Sequence, residues 1–412
     1  MRPNLKRNNK NKIVNDPVYG FISIPNELIY DLIQHPYFQR LRRIEQLGMS
    51  DLVYPGAKHT RFHHVLGATH LMNLAIQTLR RKGVEITEKE EEAVLAAILL
   101  HDIGHGPFSH ALEYDIVNKV SHESISTFFI EKLNKEMHGR LDLTLQIFQN
   151  NHSKPFLYQL VSSQLDMDRM DYLNRDSFYT GVTEGQIGAD RIISMLNVVD
   201  GNLVIEEKGI YSVEKFLVAR RFMYWQVYLH KTVVAAEQML IHILRRAKAL
   251  SRQGKTIFAS PSLQFFLQND IQEHDFIKDD TVLNHFANLD DSDIISAIKV
   301  WQNHEDKVLS ILSKRLIDRK LFKIEVDKRE YTAERINFEK NAVQQALQLT
   351  TEEAEYFVYA EKLTNSAYNL KKQNINILLK SGEVVDASIA SDNYNLEALS
   401  TTVTKYFLCY AI

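Results

Sequence analysis

Apolar residues recur at three- and four-residue intervals through most of the chain, a period that predicts helices. In "NELIYDLIQHPYFQRLRRIEQLG" (26–48) the repeat breaks at Pro36 and stops at Gly48. "HHVLGATHLMNLAIQTLRRKG" (63–83) and "TEKEEEAVLAAILLHDIGH" (87–105) read as two further amphipathic helices. The second opens with Thr87 and Glu90 at capping-box spacing. Residues 121–178 read as helices with loops, and 212–250, free of Gly and Pro, as one long helical stretch.

Two places break the helical period. "KIVNDPVYGFISIP" (12–25) alternates around Asp16-Pro17 and Gly20 and predicts a hairpin. Beyond about residue 312, "LFKIEVDKREY", "YFVYAEKL", "NINILLKSGEVVDASIA" and "KYFLCYAI" predict strands around a helix near 332–348. The expected fold is mainly α: a basic tail over 1–11, an all-helical body over 12–312, and a small α+β lobe over 313–412 packed against it.

The 412 residues are 45% hydrophobic and 25% charged, ordinary for a globular protein with a sizeable core. A net charge of −3 supplies no global basic field, so nucleic acid is not expected as the main partner and any anion site must be built locally. The single cysteine, Cys409, excludes an internal disulfide framework and fits a reducing, cytoplasmic compartment. No apolar run reaches about 18 residues, and no apolar segment follows the basic N-terminus, so neither a membrane span nor a secretion signal is expected.

Histidine changes the picture. Of 16 histidines, His59, His63, His64, His70, His101, His105, His110 and His122 crowd into one short region. "ILLHDIGHGPFSHALE" (98–113) sets three of these, His101, His105 and His110, with Asp102 at the mouth of an apolar helix. Imidazole and carboxylate together suit a first-row divalent metal, and ligands that leave coordination positions open make a catalytic centre. His101 alone would also serve as a helix cap. The company argues for more, because "TRFHHVLG" offers His64, and "QLDMDRMDYLNRD" offers Asp166, Asp168, Asp171 and Asp176.

His64, His101-Asp102 and Asp168 resemble the H…HD…D signature of the HD-domain metal-dependent phosphohydrolases. "NDPVYG", "FQRLRRIEQLG", "TRFHHVLG", "HDIGHGPFSH", "SHES", "LDMDRMDYLNRD" and "YLHK" narrow the resemblance. They are similar to the deoxynucleoside triphosphate triphosphohydrolases, in the branch of the SAM-and-HD-domain enzyme and its bacterial single-domain relatives. The motifs cover roughly residues 12–250.

The resemblance implies hydrolysis of a dNTP to deoxynucleoside and tripolyphosphate. It implies one Mn, Fe, Zn or Mg ion on His64, His101, Asp102 and Asp168, with His63 turned elsewhere. The alkoxide leaving group needs a general acid, for which His105, His110 and His122 stand as candidates, with Glu123 orienting His122. Arg61, Arg169 and Arg220 would grip phosphate, with Arg221 one register step from Arg220. Gln46 and Asp176 would bond the 3′-hydroxyl, and Leu47, Tyr172 and Tyr228 would complete a pocket with no room for a 2′-hydroxyl.

An activating nucleotide between subunits would meet Lys12, Asn15, Gln39 and Arg42; Gln34 stands where the vertebrate enzyme carries an acidic residue, which leaves the activator's base open. The resemblance further implies a homo-oligomer, a dimer or a tetramer built from dimers. The alternatives are another HD phosphohydrolase, a nucleotidase or cyclic-nucleotide phosphodiesterase, or an HD module that only senses nucleotides.

Overall fold

The computed structural model describes residues 12–365, 368, 374–392 and 401–412, except the side chains of Ser109 and His110. The basic tail 1–11 lies outside the described residues. The chain is mainly helical with a small strand-bearing C-terminal lobe, and among the described residues no helix is long and apolar enough to cross a membrane.

The N-terminal hairpin forms as its alternation predicts, Ile13–Asp16 against Gly20–Ser23. Asn26 caps the helix Glu27–Gln34 by accepting the Ile29 N–H at 2.9 Å. That helix stops at His35, whose extended backbone is what a residue before proline adopts, and Pro36 opens the next turn. Helical winding ends at Arg43 instead of Gly48; Ile44 turns extended, and Gly48, at φ +49°, starts a separate short turn.

Three helices build the floor of the body. Arg61–Arg81 packs against both Glu88–Leu100 and Met167–Thr180. From Ala93 to Leu100 every side chain of the middle helix is buried, so truncating Leu95 or Leu99 to Ala costs about 2–5 kcal/mol. Its start is the expected capping box: Thr87 N–H donates to Glu90 at 2.8 Å, and Glu90 N–H to Thr87 at 3.2 Å. At Gly67, on Arg61–Arg81, a Cβ would lie 2.0 Å from Asp171 Oδ1, so only glycine lets Met167–Thr180 approach this closely.

Two expectations fail between 190 and 252. The body contains an antiparallel hairpin, Leu196–Val199 with Asn202–Glu206, turned by Asp200 and Gly201, both at positive φ. The stretch 212–250 is not one helix: Ile210–Met223 passes into a π-helical turn, Tyr224–Tyr228, and a new helix, Lys231–Arg252, begins after His230. Such wide turns concentrate at functional sites because they re-aim side chains.

Helices Pro261–Gln268, Asp280–Ala287, Asp291–Trp301 and Lys307–Ile317 complete the body. An antiparallel sheet follows, ordered Lys323–Asp327, Val403–Tyr410, Val358–Asn365, with helix Ala333–Leu347 against it. A second sheet joins both halves of the chain, because Asn376–Leu378 pairs in parallel with Asn202–Glu206 and antiparallel with Val384–Asp386. Lys405 from the first sheet sits 3.9 Å over the ring of Trp225 in the π-helical turn.

Candidate metal centre

The middle helix ends at Leu100, and the chain turns through His101–Gly104 at the centre of the body. The turn is pinned from two sides. Ser126 Oγ donates to His101 O at 2.8 Å and accepts Gly104 N–H at 2.9 Å, a crossing so close that a Cβ on Gly104 would fall 2.2 Å from His122 O. Arg40, fully buried, donates to Ile103 O at 2.8 Å and to His105 O. Its guanidinium lies near the rings of Phe129 and Phe286 instead of a carboxylate, and burial pulls its pKa down to about 9.

Four side chains converge over this turn. His64 Nε2 is 3.1 Å from Asp168 Oδ1 and 3.4 Å from His101 Nε2; His101 Nε2 is 3.4 Å from Asp168 Oδ1 and 3.2 Å from Asp102 Oδ1. His101 Nδ1 donates to the Ile98 carbonyl at 2.7 Å and His64 Nδ1 to Asp171 Oδ2 at 2.8 Å. Both Nε2 atoms therefore face one point, with Asp168 on the same point, and each would offer a lone pair to a cation there. Neighbouring ligands of a divalent ion bonded at about 2.1 Å sit roughly 3 Å apart, so the spacing fits a metal.

Behind the ligands, Arg175 grips Asp171 at 2.9 and 3.0 Å and Asp16 of the hairpin at 2.8 Å, which locks the ring orientation of His64. Burial alone would depress His64, but Asp168 and Asp171 reverse this and push its pKa up to about 10. Burial also opposes ionisation of Asp168, yet His101 and His64 hold its carboxyl well below the usual carboxylate range. The cluster thus demands positive charge. Asp102 sits at the margin: Oδ2 takes Arg61 Nη1 at 2.5 Å, and Oδ1 lies 3.2 Å from both His101 and His105.

His63 takes another duty, its Nδ1 accepting the Thr60 N–H at 3.1 Å to cap the helix. His105 stacks on His122 at 3.8 Å, and burial with the Arg61 guanidinium keeps its imidazole well below the ordinary value. The expected orienter of His122 needs correction. Glu113, not Glu123, holds Nδ1, at 2.7 Å, and also accepts the His122 N–H at 2.8 Å, whereas the exposed Glu123 stands 3.4 Å from Nε2. The side chain of His110 lies outside the described residues.

Tyr172 links this centre to the expected sugar residues, 6.4 Å from the His64 ring and 6.1 Å from the Tyr228 ring. Tyr228 donates to Asp176 Oδ2 at 2.8 Å, and His59, which sequence reasoning missed, meets Oδ1 at 2.7 Å while stacking on Tyr179 at 4.4 Å. Gln46 Oε1 is buried without a partner among the described residues, and Leu47 packs on the core beside it. Among the described residues, Arg220 Nε and Nη1 are buried without an acceptor. Arg169 pairs with Asp166, but its Nε is likewise unmatched.

The four residues assigned to an activator lie on the N-terminal hairpin and on the turns that follow the first helix. Asn15 lies on the hairpin and Lys12 reaches Tyr30, while Arg42 donates to Gln39 at 2.9 Å and covers the Phe62 ring at 3.5 Å.

Comparison with known proteins agrees with this geometry. The HD domain matches residues 61–176 and the HD associated region residues 187–258. A crystal structure of a phosphohydrolase from Bacteroides thetaiotaomicron VPI-5482 is 56% identical with a TM-score of 0.94, covering 97% of this chain and 99% of that one. YwfO of Bacillus subtilis (strain 168) is 36% identical over 318 residues, 76% of this chain and 71% of its own length. A Dictyostelium discoideum homolog of the deoxynucleoside triphosphate triphosphohydrolase SAMHD1 is 32% identical over 248 residues. That match covers 56% of this chain and just under half, 48%, of the relative.

Proposed function

This chain belongs to the HD-domain phosphohydrolases, metal-dependent enzymes related to the SAMHD1 triphosphohydrolases, and from that premise we propose that it cleaves dNTPs to deoxynucleoside and tripolyphosphate. The observation that carries the reading is Arg220, whose two buried nitrogens, beside Tyr172 and Tyr224, lack an acceptor among the described residues. An unmatched buried guanidinium is costly, and a phosphate oxygen is the acceptor that suits it.

His64, His101 and Asp168, with Asp102 beside His101, would hold a divalent ion, which would supply positive charge to polarise the phosphate and to acidify water. Arg220 and Arg169 Nε bind the triphosphate, and Arg61 holds Asp102 in place. Water attacks the α-phosphorus, the bond from phosphorus to O5′ breaks, and O5′ takes a proton. That proton comes from the His105, His110 and His122 group, within which Glu113 fixes the ring of His122. The 3′-hydroxyl bonds to the Gln46 amide and the Asp176 carboxylate, while Leu47 and Tyr228 close the 2′ side. Oligomerisation and an activator at Lys12, Asn15, Gln39 and Arg42 belong to the same reading.

Incubating the purified protein with Mn and each dNTP or ATP, alone and in mixtures, and resolving products by ion exchange tests it. Tripolyphosphate with deoxynucleoside is expected. Monophosphate release would assign a different HD phosphohydrolase, no product in any mixture would leave a sensor, and ATP turnover matching dATP would remove the sugar pocket.

A further inference from the structure

Ile44 is extended, Glu45 forms an antiparallel bridge with Thr60, and the chain then turns at Gln46. Gln46 N–H donates to His59 O and Arg61 N–H to Ile44 O, each at 3.0 Å, so the segment that leads to Leu47 is tied to the one that delivers His59 and Arg61. The Glu45 N–H faces the other way. It donates to Oδ2 of Asp291 at 2.8 Å, a residue at the start of the remote helix Asp291–Trp301. Oδ1 of the same carboxylate accepts the Phe108 N–H at 3.0 Å.

Phe108 is no ordinary loop residue. It sits at φ +47°, ψ +43°, a left-handed conformation that a Cβ disfavours, and it launches the helix Ser109–Ile116, which carries His110 and brings Glu113 to His122. Asp291 is 8% exposed, and its neighbour Asp290 is engaged separately, pairing with Arg43 and capping the helix through Ser292 at 2.9 Å. One buried carboxylate therefore joins the segment bearing Gln46 and Leu47 to the turn bearing the histidine group. Both hydrogen bonds come from backbone N–H groups, which is why no motif marks Asp291.

We propose that Asp291 is a positioning residue that fixes the separation of these two segments and thereby sets the discrimination between deoxyribose and ribose nucleotides. The inference rests on the dNTP reading above. If the Gln46–Leu47 segment drifts from the histidine turn, the 2′ side opens while the metal ligands stay in place.

The test compares wild type, Asp291→Ala and Asp291→Asn in the full chain, after melting curves and metal content establish folded, loaded protein. Deuterium exchange is read in peptides containing Glu45 and Phe108, and kcat/KM is measured for dATP and ATP. In Asp291→Ala both peptides exchange faster, and the dATP-to-ATP ratio of kcat/KM falls about tenfold, mainly through dATP. Asp291→Asn keeps one acceptor oxygen and falls between; should the alanine variant not fold, it carries the same test with a smaller shift.

An unchanged ratio in a folded variant overturns the specificity role, and unchanged exchange overturns the clamp. Release of monophosphate instead of tripolyphosphate by the wild type would overturn the dNTP reading while leaving the exchange result intact.

Discussion

Two pairs of histidines meet just past the end of the helix Glu88–Leu100, each with one partner from another helix, yet they are built in opposite ways. His64 and His101 meet edge to face, centroids 5.3 Å apart at 78°, among Asp102, Asp168 and Asp171. His105 and His122 lie stacked at 3.8 Å and 17°, with Arg61 beside His105. Carboxylates draw positive charge to the first pair, and the guanidinium with burial drives it from His105. One residue type thus supplies ligands at one place and a proton-handling face next to it, with Asp102, 3.2 Å from both His101 and His105, as the only carboxylate named here that touches both sides.

Breaking the first pair has the largest effect. A His101→Ala, Asp102→Ala double change should bring metal content to background by elemental analysis and abolish hydrolysis, while circular dichroism keeps the helical signal. Retained turnover would remove the site assignment. Breaking the second pair should leave the metal alone: His122→Ala lowers kcat by about 10²–10⁴ at unchanged metal content. Loss of metal in that variant would mean the two pairs act as one site.

A subtler change sharpens the contrast. Asp171→Asn removes the negative charge behind His64 and should weaken metal affinity about 10–100-fold, read by competition with a chelator, without altering the product pattern.

The smallest effect concerns stability. In chelator-treated protein, His64 has a folded pKa of about 10 against an ordinary value near 6.5, so the stability it contributes is full below about 6.5. That contribution is lost as pH rises toward 10. The melting temperature of the metal-free protein should fall across this window, and added Mn should restore it. A flat profile would mean that the first pair carries no excess demand for positive charge.

What could be read from sequence follows the reach of each interaction. The Thr87–Glu90 box, the break at Pro36 and the hairpin at Asp16–Gly20 are decided within a few residues, and all three form. The metal cluster was legible because its motif strings are distinctive even though His64 and Asp168 are far apart in the chain. Glu113 escaped because Glu123, adjacent to His122, seemed the natural partner; only the crossing at Gly104 and Ser126 brings Glu113 to the ring. His59 and Asp291 were invisible for the same reason, their partners lying on distant helices or in the backbone. The hairpin at 196–206 did carry a local mark, Asp200-Gly201 between branched residues, whereas the π-helical turn at Tyr224–Tyr228 contains neither Gly nor Pro to announce it.

The parallel pairing of Asn376–Leu378 with Asn202–Glu206 also bears on how the protein is made. On the ribosome the hairpin emerges long before the strand that covers it. At roughly 5–20 residues per second, its outer edge waits on the order of ten to thirty seconds with open amides and carbonyls. A nascent chain stalled before Asn376, or a protein shortened there, carries a sticky sheet margin next to finished catalytic helices, so the last stretch of sequence serves as a guard against self-association.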